Sequence, residues 1–287
     1  MSNLIENRKK VYENLPTENL SVNLGDIVYF HDIGKEDYEN LIKSVKDYLL
    51  KCFELVYGKK YEWEDNFLEK YSKQIMELPN KTPNGILKPK SENEFEFNEI
   101  LKNVNIIFKN LNLKNHIEAL AIPNLRFKDS IEPEDVKNRP YGTTQYHSDA
   151  WVGHKGDSIF LIGLLGDLEN NTVEFTKPIN VHNNYLDKAE SFAEGNTRYE
   201  SFETLGKLQK GKLGIMDHAC LHRTLLTSGC GPRLSMDIAV MIDSDYSHSK
   251  EKGFDPTAYD YIPMSVFKEL GGDSNVLIEE SIYENIF

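Results

Sequence analysis

Two short stretches of the chain carry residues whose types and spacing suit metal chemistry. The first is Gln145-Tyr146-His147-Ser148-Asp149. With residues 143 to 147 read as a strand, side chains alternate, and His147 and Asp149 point to one face. An imidazole and a carboxylate two residues apart can then grip a single ion. Such a pair is common by chance, so the second stretch matters more. Gly214-Ile-Met-Asp217-His-Ala-Cys-Leu-His222 brings a second imidazole 222 − 147 = 75 residues after the first. Arg233 follows 233 − 222 = 11 residues later, in a new apolar run. Two imidazoles and a carboxylate leave three coordination positions open, which suits iron(II) with O2 and a chelating co-substrate. An arginine adds a planar, bidentate partner for a distant carboxylate.

The same residues allow other groupings. His218, Cys220 and His222 alternate, so on a strand they share a face and can make a zinc site. His218 can also stand as the third ligand in place of His222, with a spacing of 233 − 218 = 15 to the arginine. Arg126 lies in the strand-like run Asn124-Leu-Arg-Phe127. It binds a substrate or co-substrate anion if it faces inward, and makes a surface ion pair if it does not. Gln145 shares the face of His147 and is a candidate substrate contact. Trp151 is either core or a substrate platform. His154, between Gly153 and Gly156, is either a loop residue or part of a lid. His31, His116, His182 and His248 have no partner pattern and read as structural or surface residues.

These groups need elements to position them. Residues 36 to 57, 61 to 78 and 92 to 111 carry apolar residues at helical spacing. Residues 1 to 24 read as a polar lead-in, and 26 to 31 as a short strand. From about residue 116 the character changes to β-like runs broken by Gly, Pro and Asn, at 117–127, 143–147, 158–165, 172–175, 213–216, 221–226 and 233–242. A further helix is expected at 265–270. Helices first and many antiparallel-type strands afterwards give an α+β chain with a mainly β core. The expected architecture is a double-stranded β-helix, a cupin-like jelly roll, supported by N-terminal helices. No linker composition divides the chain. The expectation is one domain over 1–287, with helical support at 1–115, the core at 116–243 and an extension at 244–287.

Composition narrows the partners. Of 287 residues, 33 are basic and 46 acidic, a formal charge of 33 − 46 = −13. A phosphate-binding surface needs a basic face, so neither nucleic acid nor an anionic membrane is expected as a partner. No apolar run approaches the ~20 residues that span a bilayer. The first ten residues are charged, with no apolar stretch behind them, so no secretory signal is expected. Three cysteines, an odd number, fit free thiols in a reducing cytoplasm. A small-molecule substrate is the expected partner, and oligomeric state is left open.

With these motifs in view, the sequence resembles the iron(II)- and 2-oxoglutarate-dependent dioxygenases, closest to the phytanoyl-CoA hydroxylase and taurine dioxygenase branches. The resemblance covers roughly residues 117 to 243. It implies Fe(II) held by His147, Asp149 and His222, with 2-oxoglutarate and O2 as co-substrates and succinate and CO2 as co-products. It implies that Arg233 anchors the distal carboxylate of 2-oxoglutarate. Thr172, in Asn170-Asn171-Thr172, resembles the family threonine that bonds the same carboxylate. Ser235 echoes the family's Arg-x-Ser pairing. The family's usual Gly-Gly before that threonine is Asn170-Asn171 here, and the first hundred residues carry no family motif. The retained Asp149 sets the chain apart from halogenating relatives, which give up the carboxylate. The implied reaction is hydroxylation of a C–H bond of a small polar metabolite. Rival expectations are a non-catalytic sugar- or metal-binding double sheet, and a cupin-type metalloenzyme that uses no 2-oxoglutarate.

Overall fold

A computed structural model describes residues 4–131, 139–153, 156–250 and 261–270. The chain opens with α1 (Leu4–Lys9), β1 (Leu20–Leu24) and β2 (Val28–Asp32). Helix α2 (Lys35–Tyr57) then ends at Gly58, which takes the left-handed φ of 65° that closes a helix. Next come α3 (Phe67–Lys70), α4 (Ser72–Met76), β3 (Ile86–Leu87) and α5 (Glu94–Asn110). The β-rich part holds β4 (Ile117–Leu120), β5 (Asn124–Lys128), β6 (Ser158–Gly166) and β7 (Asn171–Ile179). It continues through α6 (Phe192–Gly195), β8 (Ser201–Lys207), β9 (Lys212–Asp217), β10 (Leu221–Leu226) and β11 (Arg233–Ile242). The described residues end with β12 (Ile262–Pro263) and α7 (Met264–Leu270). No described helix is long and apolar enough to cross a membrane.

The strands form two antiparallel sheets. The larger runs β1-β2-β9-β6-β11-β4-β12, and β5 continues the side of β11 that β4 begins. Pro123, which has no N–H to give a ladder, lies between β4 and β5 and splits the single expected run. The smaller sheet runs β10-β7-β8. Strand alternation divides β11 cleanly. Leu234, Met236, Ile238, Val240 and Ile242 join a core with α2 and α5, while Ala239 and Met241 face the smaller sheet. Phe160 of β6 meets Phe108 of α5 edge-on, with ring centroids 5.5 Å apart. On the opposite face Phe30 of β2 meets Phe175 of β7 at 5.8 Å. The large sheet is thus a middle layer, helices on one side and the small sheet on the other.

Three expectations need correction. Residues 61–78 hold two short helices, α3 and α4, after a non-helical stretch from which Tyr61 joins Phe67 and Tyr71 against Phe53 of α2. Residues 1–24 are no passive lead-in. They include α1 and edge strand β1, and Arg8 is buried against Asp157 and Asp217. Residues 143–147 form a turn and a single bridge at His147 in place of a strand. Strand β8 carried too few apolar residues to stand out in the sequence and pairs only with β7.

His31 lies on β2 opposite Leu213, 1% exposed, and its Nδ1 has no hydrogen-bond partner. Burial pushes its pKa down to about 4. The unfolded chain therefore binds a proton that the fold refuses. Stability from this site is intact above the ordinary pKa of ~6.5 and is lost as pH falls towards 4. Chemical denaturation at pH 7 and pH 4.5 should show His31→Leu losing about 2 kcal/mol less on acidification than the parent. Equal losses would show that His31 does not titrate in this way.

Candidate metal centre and adjoining cavity

The two histidines meet through the backbone. His147 N–H donates to the carbonyl of His222, and His222 N–H donates back, both at 2.9 Å. This pairing puts residue 147 beside β10 and sets the rings 4.2 Å apart. The chain then turns into a 3-10 segment, Asp149–Val152. Ser148 caps it, accepting from Ala150 N–H at 3.3 Å and donating to the His218 carbonyl at 2.7 Å. The turn swings Asp149 towards His222, whose Nε2 lies 3.8 Å from Oδ2. One ligand atom from each of His147, Asp149 and His222 lies within 4.8 Å of the others. His147 and Asp149 therefore converge through a turn, not through the strand alternation expected from the sequence.

Hydrogen bonds fix the imidazoles for ligation. His147 Nδ1 sits 2.8 Å from the Gln145 carbonyl, and His222 Nδ1 sits 3.3 Å from the Cys220 carbonyl. A carbonyl accepts only, so each Nδ1 carries a proton and Nε2 is the ring nitrogen left to face a metal. Burial, reinforced by His222, pushes the pKa of His147 down to about 3, so it is the neutral, metal-binding form. The His147 ring also stacks on Phe192, 4.2 Å away and tilted by 19°.

The triad opens on a cavity of about 220 Å³ between the two sheets. Its floor is the inward face of β11, with Arg233, Ser235, Asp237 and Ala239, flanked by Arg126 and Asn124 of β5. Ile159, Leu161 and Met216 make an apolar wall, and Val173 and Thr224 lie opposite. Arg233 is 1% exposed, yet its Nε and Nη1 have no protein partner. Burial, then the nearby Arg126, pull its pKa down to about 10, which still leaves it charged at neutral pH. Arg126 is held differently. Its Nε donates to Asp237 Oδ1 at 2.8 Å, Nη2 to Oδ2 at 3.2 Å, and Nη1 to the Asn84 carbonyl at 3.2 Å. Asn124 also donates to Asp237, at 2.9 Å. Asp237 gives its hydrogen bonds to Arg126 and Asn124, and its charge offsets the burial of Arg233 only in part, leaving Nε and Nη1 of Arg233 unbonded.

The remaining expected site residues fall into place as follows. Ser235 lines the cavity. Arg126 faces inward and is paired, combining the two orientations open from sequence. Gln145 contributes its carbonyl to His147, and its side chain is not part of the cavity wall. Trp151 is core, not a platform. It is fully buried, donates to the Tyr185 carbonyl at 2.7 Å, and packs where a side chain on Gly195 would overlap it. Thr172 corrects the sequence expectation. It sits opposite Leu225, out of step with the inward pair Val173 and Thr224, and its hydroxyl donates to the Leu208 carbonyl at 3.5 Å. Thr224 occupies the cavity wall instead. His154 lies outside the described residues.

The zinc grouping fails because residues 218–220 form a turn, so alternation does not apply. Cys220 donates to the carbonyls of Thr176 and Leu221, and His218 Nε2 lies 3.3 Å from His248 Nε2. All three cysteines are buried and free of disulfides. The sequence reading missed Asp237, Thr224 and Phe192. Asp237 had a usable signal, since it lies four residues after Arg233 on the same strand face.

No family model matches the chain, and no curated protein matches it. Among solved structures it is similar to a non-haem alpha-ketoglutarate-dependent carbocyclase, SnoK, from nogalamycin biosynthesis. The identity is 11%, over 80% of this chain and 85% of that one, with a TM-score of 0.38. It is similar also to the epimerase SnoN, solved with Fe3+, alpha-ketoglutarate and nogalamycin RO, at 10% identity over 96% and 94% of the chains and a TM-score of 0.38. A third is an N-substituted L-amino acid dioxygenase from Burkholderia ambifaria AMMD, at 11% identity over 77% and 84%, with a TM-score of 0.36.

Equilibrium dialysis against Fe(II) under argon tests the triad. His222→Ala and Asp149→Ala should lose binding, while His218→Ala retains it. Loss on removing His218 with retention on removing His222 would move the centre to the 218–220 turn.

Proposed function

We propose that the chain is an Fe(II)- and 2-oxoglutarate-dependent oxygenase. The observation that carries this reading is the buried, unpartnered guanidinium of Arg233 in the same cavity as a His-Asp-His triad. A charge held out of water without a counter-ion costs several kcal/mol. A dianion that ligates metal with one end and meets Arg233 with the other removes that cost. The triad also fits the metal, since two neutral imidazoles and one carboxylate leave three positions open. A cupin-type enzyme without 2-oxoglutarate, or a plain binding module, gives Arg233 no partner.

In this reading His147, Asp149 and His222 hold the metal. Arg233 binds the distal carboxylate bidentately, with Ser235 and Thr224 as the nearby hydroxyls, and Thr224 takes the role expected of Thr172. When bound, Fe(II) with O2 and 2-oxoglutarate supplies the oxidising power, giving succinate and CO2 as co-products. Asp237 neutralises Arg126, so a single free guanidinium among the described lining residues selects the end of the co-substrate. Ile159, Leu161 and Met216 keep water from that end of the cavity and strengthen the charged contacts. We read the facing sheets as a jelly roll and the outcome as hydroxylation of a small polar metabolite such as an amino acid or sugar. The free cysteines accord with a reducing, cytoplasmic setting.

Anaerobic titration of the apoprotein with Fe(II) and 2-oxoglutarate tests this reading through the weak visible charge-transfer band of the chelate. Wild type should develop the band. Arg233→Ala should require roughly 100-fold more 2-oxoglutarate, the loss of about 3 kcal/mol of charge-assisted hydrogen bonding. Iron binding with no band in wild type would end the 2-oxoglutarate reading. In the same titration Thr224→Val should weaken 2-oxoglutarate several-fold, by about 1 kcal/mol, and Thr172→Val should leave it unchanged. The reverse order would restore Thr172 to the site.

A further inference from the structure

The segment that carries His147 is held to β10 by very little main chain. Its bonds to that strand are the two between His147 and His222 and one from Thr224 N–H to the Thr143 carbonyl, at 2.7 Å. A full strand would have continued the ladder and fixed the register by itself. Side chains supply what the ladder lacks. Tyr146, next to the first histidine, donates from its hydroxyl to Glu174 Oε2 at 2.8 Å. Arg223, next to the second histidine, donates from Nε to that same oxygen at 2.8 Å. The Arg223 guanidinium also lies 4.4 Å from the centre of the Tyr146 ring. Glu174 stands directly across from Arg223 on β7, and Phe175 across from His222.

We infer that Glu174 is a positioning residue for the metal, tying the segments that carry His147 and His222 to β7 through one carboxylate oxygen. The inference rests on the metal-site reading above. Tyr146 and Arg223 adjoin the two ligands in the chain, so the tie acts on the separation of the imidazoles through the backbone, although the Arg223 side chain also borders the cavity. Asn196 adds to it by donating to the Tyr146 carbonyl at 2.8 Å. As a contribution to global stability the pair is weak. Arg223 keeps 31% of its side chain exposed, and solvent screens ion pairs of that kind. Its effect should therefore fall on ligand geometry more than on unfolding.

The experiment uses Co(II) as probe on the full chain, reading affinity by chelator competition and geometry by the visible ligand-field spectrum. Melting temperature of the metal-free protein is followed in parallel. Glu174→Ala should weaken Co(II) at least about tenfold, the size typical for removing an outer partner of a metal ligand, and should shift the spectrum. Its metal-free melting temperature should fall by only a few degrees. Glu174→Gln, whose amide oxygen still accepts from both neighbours, should restore the spectrum and most of the affinity. Tyr146→Phe, which removes one hydroxyl, should give a partial loss and serves if Glu174→Ala does not fold. Unchanged affinity and spectrum in Glu174→Ala and Tyr146→Phe would overturn the inference. So would an equal loss in Glu174→Gln and Glu174→Ala, since the retained hydrogen bonds are the claimed link. Failure of wild type to bind Co(II) would instead remove the metal-site reading, and this inference with it.

Discussion

An arginine buried with two guanidinium nitrogens unbonded is the constraint around which the candidate site is arranged. Arg233 is sealed from solvent, and the one carboxylate on its strand face within reach, Asp237, is held by Arg126 and Asn124. A fold tolerates such a charge only where surrounding packing forces it and a ligand later compensates it. The packing here is that of a central strand. β11 is bonded along one edge to β6 and along the other to β4 and β5. Its outward residues are locked against α2 and α5.

The two halves of the candidate site sit on different sheets. The end that carries Arg233 belongs to the large sheet, and His222 to the small one. Their separation is set by the layer between them, where Phe30 packs on Phe175. Two devices then refine the metal end. Carbonyl acceptors at Gln145 and Cys220 fix which imidazole nitrogens are free. The turn at Ser148 folds Asp149 back towards His222. The N-terminal segment adds a brace. Arg8 and Tyr12 both donate to Asp217, at the end of β9 just before the turn that leads to His222.

Much of this was legible in the sequence because periodicity is local. Apolar spacing marked α2 and α5 within a residue or two, and the apolar run 233–242 marked β11, with Arg233 and Ser235 singled out by spacing and by the family resemblance. The triad was legible through residue types and spacing, although the reason given for its convergence was wrong. What failed were features that depend on partners far along the chain. Thr172 and Thr224 are both threonines on strands, and only the register of β7 against β10 says which one faces the cavity. The spacing to Arg233 favoured His222 over His218, and the turn at residues 218–220 supplies the geometric reason. Trp151 reads first as core in the sequence, and Tyr185 and Gly195 against it show what it packs on.

The sequence by itself thus determined the chemical inventory: two imidazoles, a carboxylate, a distal arginine and the strands that carry them. Those follow from residue identity and from backbone periodicity, both written along the chain. Only the tertiary structure decided that Asp237 belongs to Arg126, that Arg233 is left unpaired, and that Glu174 ties Tyr146 to Arg223. Each of these is a competition between side chains for one partner, and distance in space settles it. The 237 − 126 = 111 residues between Arg126 and its carboxylate carry no trace of that pairing.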